Sequence, residues 1–199
     1  WFDDWETTKV NQDHFESIFG STDSLLAHIK ADNVFDPDVL QMIDELGDEL
    51  LNNVPYAGSI TSLMELSLPI GTDEGFEVKS PFEDGVPTDP QELAEKKAFI
   101  LSRESLVNNL VSADCTETWL IVNLEQYSEG LDEAMHKIAP PAMSIFNDPK
   151  YKSDKWEIRP AGLSYTEYEE EDQITTQCIS RIAIGFVVMI LFLIIFIRS

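Results

Sequence analysis

Basic side chains are scarce in this chain. Its 199 residues hold 13 Lys and Arg against 37 Asp and Glu, for a net charge of −24. Nucleic-acid binding needs clustered cations to neutralise phosphate, so nucleic acid is excluded as a partner. The nearest approach to a cluster, Lys150, Lys152 and Lys155, is interleaved with Asp148 and Asp154. An anionic membrane surface is disfavoured as the main docking site on the same ground. Cysteine is scarcer still. Cys115 and Cys178 do not make a disulfide framework, and no CxxC or zinc-type spacing occurs. Catalytic signatures are missing too. There is no Gly-x-Ser-x-Gly, no phosphate loop and no His-Glu-x-x-His. The histidines, His14, His28 and His136, are widely spaced and read as surface or structural residues. Asp32, Asp36 and Asp38 lack the spacing of an EF-hand loop. No catalytic, cofactor-binding or metal-binding residue is assigned, and the chain is not read as an enzyme.

Charge is absent from one long stretch. Residues 179–199 contain no Asp or Glu, so residues 1–178 carry −26. Between Arg181 and Arg198 lies an apolar run of 16 residues, 182–197. Such a run must be buried in a core or placed in lipid. As a helix it spans roughly 24 Å, a little short of a ~30 Å hydrocarbon core. The flanking arginines can snorkel and extend that span. We read residues 173–199 as a transmembrane helix, with a buried core helix as the alternative. Arg198 beyond the run favours the cytoplasmic side for that end. The acidic residues 1–172 are then an extracytoplasmic domain on the cytoplasmic (inner) membrane. The sequence starts at Trp1 without a cleavable signal, so a signal or an earlier helix is expected ahead of it. The apolar run has no ionisable side chain, so a proton relay would have to lie outside it.

The rest of the chain alternates between helix and strand patterns. Residues 5–19 read as a helix, with Gly20 suited to its C-cap. The run 25–29 is of strand length. Asp36-Pro37-Asp38 opens a helix with an N-cap, a proline at N1 and an acid in the first turn. Val39, Leu40, Met42, Ile43, Leu46, Leu50 and Leu51 form its apolar stripe, and it should end near Asn52-Asn53. Residues 56–66 have strand character. Phe76, Glu77 and Val78 suggest a short strand among loops. Asp89-Pro90 is another helix start, with Glu92 placed for a capping box. The clearest strand is 118–124. A helix capped by Ser128 follows, and Pro140-Pro141 is expected to break or restart it. Residues 156–160 form the last strand candidate. This gives two β-α-β units and predicts an α+β sandwich of the ferredoxin-like sort.

Some residues keep two readings. The run Glu169-Glu170-Glu171-Asp172 is a solvated membrane-proximal face or a site for a cation or partner. Trp1, Phe2 and Trp5 are an aromatic belt at an interface or ordinary packing. Met42, Met64, Trp119, Met135 and Trp156 are core residues or pocket lining.

The order of these features resembles a family. Phe15-Glu-Ser-Ile-Phe-Gly20 is similar to a phenylalanine and Phe-Gly pair ahead of a first strand. Val34-Phe-Asp-Pro-Asp-Val-Leu40 is similar to the entry of a first porter helix, and Val54-Pro-Tyr-Ala-Gly-Ser-Ile-Thr-Ser-Leu63 to the strand after it. Leu110-Val-Ser-Ala-Asp114 and the 118–124 strand are similar to the opening of the second unit. Phe196-Ile-Arg-Ser199 resembles a Phe-Arg-Ser helix ending, with Ile197 extra. Together they resemble the first extracytoplasmic loop and second membrane helix of resistance–nodulation–division (RND) superfamily transporters, in the hydrophobe-exporter branch related to the MmpL and hopanoid transporters. The resemblance implies a porter subdomain of a proton-driven exporter for hydrophobic or lipid-like substrates. It implies as partners the rest of a transporter chain, with its other membrane helices and second porter loop, and the bilayer; a homo-oligomer is an open alternative, since the sequence does not set the oligomeric state. No cofactor is implied, and no substrate-binding residue can be carried over. The alternatives are a single-pass, membrane-anchored binding or adaptor domain and a membrane-tethered enzyme.

Overall fold

The computed structural model describes residues 5–19, 21–72, 75–127 and 131–197. Trp1, Phe2, Gly20, Ser128 and Arg198, singled out above, lie outside these residues. The chain divides into two compact units, Trp1–Tyr165 and Thr166–Ser199.

In the first unit, α1 (Thr7–Phe19) precedes β1 (Ser24–Ala31), α2 (Pro37–Asn53) and β2 (Ala57–Thr61). A two-stranded ribbon, β3 (Leu68–Thr72) and β4 (Gly75–Lys79), leads to α3 (Pro90–Leu101). Then come β5 (Glu117–Leu124), α4 (Leu131–Phe146), a short 3-10 turn (Pro149–Tyr151) and β6 (Trp156–Gly162). The last helix, α5 (Leu163–Ile197), runs unbroken for 35 residues. The chain is therefore mixed α/β, with a sheet of antiparallel strands and one C-terminal apolar helix.

Helix starts are written in one dipeptide. Asp36, Asp89 and Asp148 each precede a proline, and each carboxylate accepts from the backbone N–H two residues on at 2.9 Å. Proline at the first position has no N–H to lose and its fixed φ suits the turn. Glu92 pairs with Lys96 at 2.9 Å.

The four-stranded sheet has the order β2-β5-β1-β6, every neighbouring pair antiparallel. β1 and β2 are thus parallel to each other with β5 between them, and β5 and β6 are parallel with β1 between them. These are two interleaved split β-α-β units. Strict alternation sends Leu25, Ala27, Ile29 and Ala31 of β1 to the same face as Thr118, Leu120, Val122 and Leu124 of β5. The stripe of α2 and the buried face of α4 complete this core. Each fully buried Leu or Ile contributes roughly 1.5–3 kcal/mol.

Three expectations are corrected. Pro140-Pro141 neither breaks nor restarts α4, which continues to Phe146. Pro140 and Pro141 have no N–H to donate to the carbonyls four residues back, and those carbonyls belong to residues 136 and 137 on the exposed side of the helix. The buried face, Met135, Ile138, Ala139, Ala142 and Ile145, passes the prolines in register. The strand expected over 56–66 ends at Thr61. There the Ser62 hydroxyl accepts from the N–H groups of Met64 and Glu65, turning Leu63, Met64 and Leu66 into the core. Finally, β3 pairs with the expected short strand, although Pro69 and Gly71 are poor strand residues. α5 starts at Leu163, so the acidic run 169–172 is helical and precedes the membrane-entry boundary drawn at 173.

One helix carries an electrostatic burden. Half-burial, then the nearby carboxylates of Asp48, Glu65 and Glu45, raise the Asp44 pKa. A raised carboxyl pKa means the native state holds that proton more tightly. The resulting penalty is absent below the unfolded value, grows as pH rises through the folded value, and is complete at neutral pH. Asp44→Asn is therefore expected to stabilise the chain at pH 7 by up to about 1 kcal/mol and to lose that advantage near pH ~3. Denaturant titration of the full chain in detergent at the two pH values checks this.

Candidate functional site

The second face of the sheet, which holds Leu26, His28 and Lys30 of β1 and Glu117, Trp119 and Ile121 of β5, is only partly buried. Register sets its rows. His28 of β1 lies opposite Trp119 of β5 and Arg159 of β6. Lys30 lies opposite Glu117 and Glu157. The segment after α3 folds over one end of these rows. It is anchored by the Trp119 N–H and the Thr118 hydroxyl, which donate to the Leu110 carbonyl at 3.0 and 2.9 Å. Its turns place Asn108 and Cys115 in the left-handed region, at φ 63° and 61°. The Ser112 hydroxyl donates to Asp114 and accepts from the N–H groups of Thr116 and Glu117. The hydroxyls of Ser112 and Thr116 hold the Asp114 carboxyl below its usual range.

Between this segment and the sheet lies a pocket of about 240 Å³. Its lining includes His28, Asn108, Asn109, Ser112, Glu117 and Trp119. The His28 and Trp119 rings are tilted, with centroids 4.9 Å apart. His28 Nε2 is 3.4 Å and Lys30 Nζ 3.5 Å from the Glu117 carboxylate. On the neighbouring strand β6, Arg159 grips Glu157 through two bonds of 2.9 and 2.8 Å. That grip lowers the Glu157 pKa and raises that of Arg159. The arrangement offers an aromatic wall and a partly exposed carboxylate beside two cation-forming side chains. It suits contact with a small amphipathic group.

The Lys30–Glu117 pair is exposed, with Glu117 at 42% and Lys30 at 53%. Such pairs are worth little to folding. Glu117→Gln is expected to change unfolding free energy by less than about 1 kcal/mol, measured by urea titration in detergent. The pocket can thus be altered without loss of the fold.

A second pocket of about 370 Å³ lies beside the β3–β4 ribbon. Of its two lysines, Lys79 and Lys96, the second is committed to Glu92 and to the Phe82 ring.

The residues with two readings divide. Met42, Met64 and Met135 are buried in the core. Trp156 is partly buried and donates its indole N–H to the Tyr151 carbonyl at 2.9 Å. Of the five, Trp119 alone lines the pocket. Asp36 caps α2 and Asp38 pairs with Lys155. Lys150 pairs with Glu49, and Lys152 donates to the Phe146 carbonyl at 3.1 Å, so the lysine group serves internal contacts. Glu49 also accepts from the buried Tyr151 hydroxyl at 2.6 Å, and these partners lower its pKa. Cys115 is buried and Cys178 exposed, both as free thiols. His14 and His136 are exposed. His28 is the histidine that reaches a pocket, through a pairing with Trp119 that spans 91 positions of sequence.

The helix α5 carries the other functional signal. Its segment Leu163–Ile190 is long and apolar enough to cross a membrane, and none of its most apolar window is buried. A scan against protein-family models gives no match, and a search of curated proteins gives none.

Proposed function

We propose that the chain is an extracytoplasmic porter-type domain and the membrane helix that follows it, belonging to a proton-driven RND-type exporter of hydrophobic or lipid-like substrates. One observation carries this reading: two interleaved split β-α-β units stand immediately before one long apolar helix. We read the sandwich as a ferredoxin-like porter subdomain on the extracytoplasmic side of the inner membrane. In this reading the domain lines part of a substrate path and moves against its neighbours, while proton flow is handled by other helices of the transporter. The apolar run has no ionisable group with which to relay a proton. The half-apolar pocket at Trp119 and His28 is a contact point of a size suited to part of an amphiphile, not to a whole lipid.

The test is the coding sequence on either side of this segment. A hydrophobic helix before Trp1 and an array of helices after Ser199, one with an acidic residue inside it, is the expected result. A signal peptide before Trp1 and a stop codon soon after Ser199 would overturn it. The chain would then be a single-pass anchored binding domain.

A further inference from the structure

Asp23 is a buried acid that the proposed function does not use. It is 8% exposed and stands just before β1. Its Oδ1 accepts from the Ser24 N–H at 2.8 Å. Its Oδ2 accepts from the Ser164 hydroxyl, and from the Tyr127 hydroxyl at 3.4 Å. Its backbone carbonyl accepts from the Leu124 N–H at 3.2 Å, and its own N–H donates to the Ser21 hydroxyl at 3.1 Å. Four segments therefore meet at one residue: the entry to β1, the end of β5, the loop after β5, and the first turn of α5.

The chemistry of the group fits this geometry. All its side-chain partners are neutral donors, and no Lys, Arg or His of the described residues is among them. An ionised carboxylate is an acceptor with about four lone-pair sites, so it can serve three donors at once. An amide of the same shape has one acceptor oxygen and would turn an NH₂ towards a donor. Burying such a carboxylate is unfavourable unless every bond is made. Ser164 is itself 1% exposed, so its hydroxyl has no water to fall back on. Next to it, Tyr165 is buried and meets the Phe146 ring edge-on at 6.0 Å. Two residues before Ser164 stands Gly162, at φ +125°, where the strand becomes the helix.

We propose that Asp23 is a latch that fixes the first turn of α5 to the sheet through the Ser164 hydroxyl. The latch does not depend on what the protein transports, or on whether it transports.

Hydrogen exchange read by mass spectrometry on the full chain in detergent tests it. Ser164→Ala removes one donor and keeps the apolar volume, so the fold survives. The amides of 167–170 are expected to exchange at least tenfold faster, with those of β1 and β5 unchanged. Asp23→Asn should give the same local acceleration, and adding Ser164→Ala to it should give no more. Rates at 167–170 within twofold of wild type in Ser164→Ala would overturn the latch. So would acceleration that multiplies in the double variant, because the two residues would then act separately.

Discussion

Gly162→Ala is expected to be the most damaging single methyl group that can be added to this domain. Gly162 pairs with Leu25 across β1 and β6, and its φ is +125°. An L side chain in that region costs about 1–3 kcal/mol of backbone strain. The new Cβ also has nowhere to go. It would sit well inside van der Waals contact of the Ser24 carbonyl oxygen, 3.2 Å from the Leu25 Cα and 3.3 Å from the Ser24 carbonyl carbon. These are backbone atoms of a strand paired on both sides, so they cannot rotate away as a side chain would. Relief must come from shifting β1 or from unpairing the end of β6. Together these effects should cost ~3 kcal/mol or more, a large part of a typical domain's stability. Gly71→Ala is the matched control. A Cβ there meets nothing within 4 Å, and its cost should stay below about 1 kcal/mol. Denaturation midpoints of both variants decide the matter. A Gly162→Ala chain as stable as Gly71→Ala would mean that the strand-to-helix junction is not the tight crossing described.

The sequence announces such features unevenly. Local chemistry is legible: Asp36-Pro37 and Asp89-Pro90 cap helices because the cap, the proline and the first N–H groups lie within four residues. The strand runs 25–29 and 118–124 are legible too, but both of their faces carry apolar residues, Leu26 beside Leu25 and Trp119 and Ile121 beside Leu120 and Val122, so which residues leave the core is not. What alternation cannot give is which strand lies beside which. The pocket exists because β1 and β5 pair with His28 opposite Trp119, a relation set by the whole sheet. The same holds for Asp23, whose partners Tyr127 and Ser164 are 104 and 141 positions away. The prolines of α4 mislead for the opposite reason. Local propensity argues for a break there, and tertiary burial of the continuous apolar face overrides it. β3 was hidden in a similar way, because Pro69 and Gly71 mask a strand that exists through its partner Phe76-Glu77-Val78. The capping signature at Asp148-Pro149 was equally readable, but it opens a three-residue turn with no apolar periodicity to flag it.

Ile190→Arg is expected to strip the apolar helix of most of its membrane affinity. The run 182–197 contains 13 Ile, Leu, Phe or Val residues. At about −0.3 to −0.6 kcal/mol each they supply roughly −4 to −8 kcal/mol towards insertion. An arginine at the centre opposes it by ~2.5–3.5 kcal/mol, and the isoleucine it replaces is lost as well. The combined swing is about 3–4 kcal/mol, a factor of a hundred or more in the insertion equilibrium. Position 190 is chosen for its depth. Arg181 and Arg198 reach the interface by snorkelling, whereas a side chain eight or nine residues from either end is too far in to do so cheaply. Adding Val187→Arg should remove what affinity remains. Insertion into microsomes, read by glycosylation of engineered acceptor sites on either side of the helix, measures the change. Unchanged insertion of the double variant would sink the membrane reading of α5. A wild-type chain left in the supernatant would sink it as well, and the apolar run would then have to be covered by protein. The acidic helical segment before it, 167–172, sharpens the same test, because those carboxylates cannot follow the run into lipid. Lengthening the apolar stretch towards the N-terminus by Gln177→Leu and Ser180→Leu should therefore restore part of the insertion lost to Ile190→Arg. If it does not, the charge at 190 is acting through something other than the transfer of this helix into a bilayer.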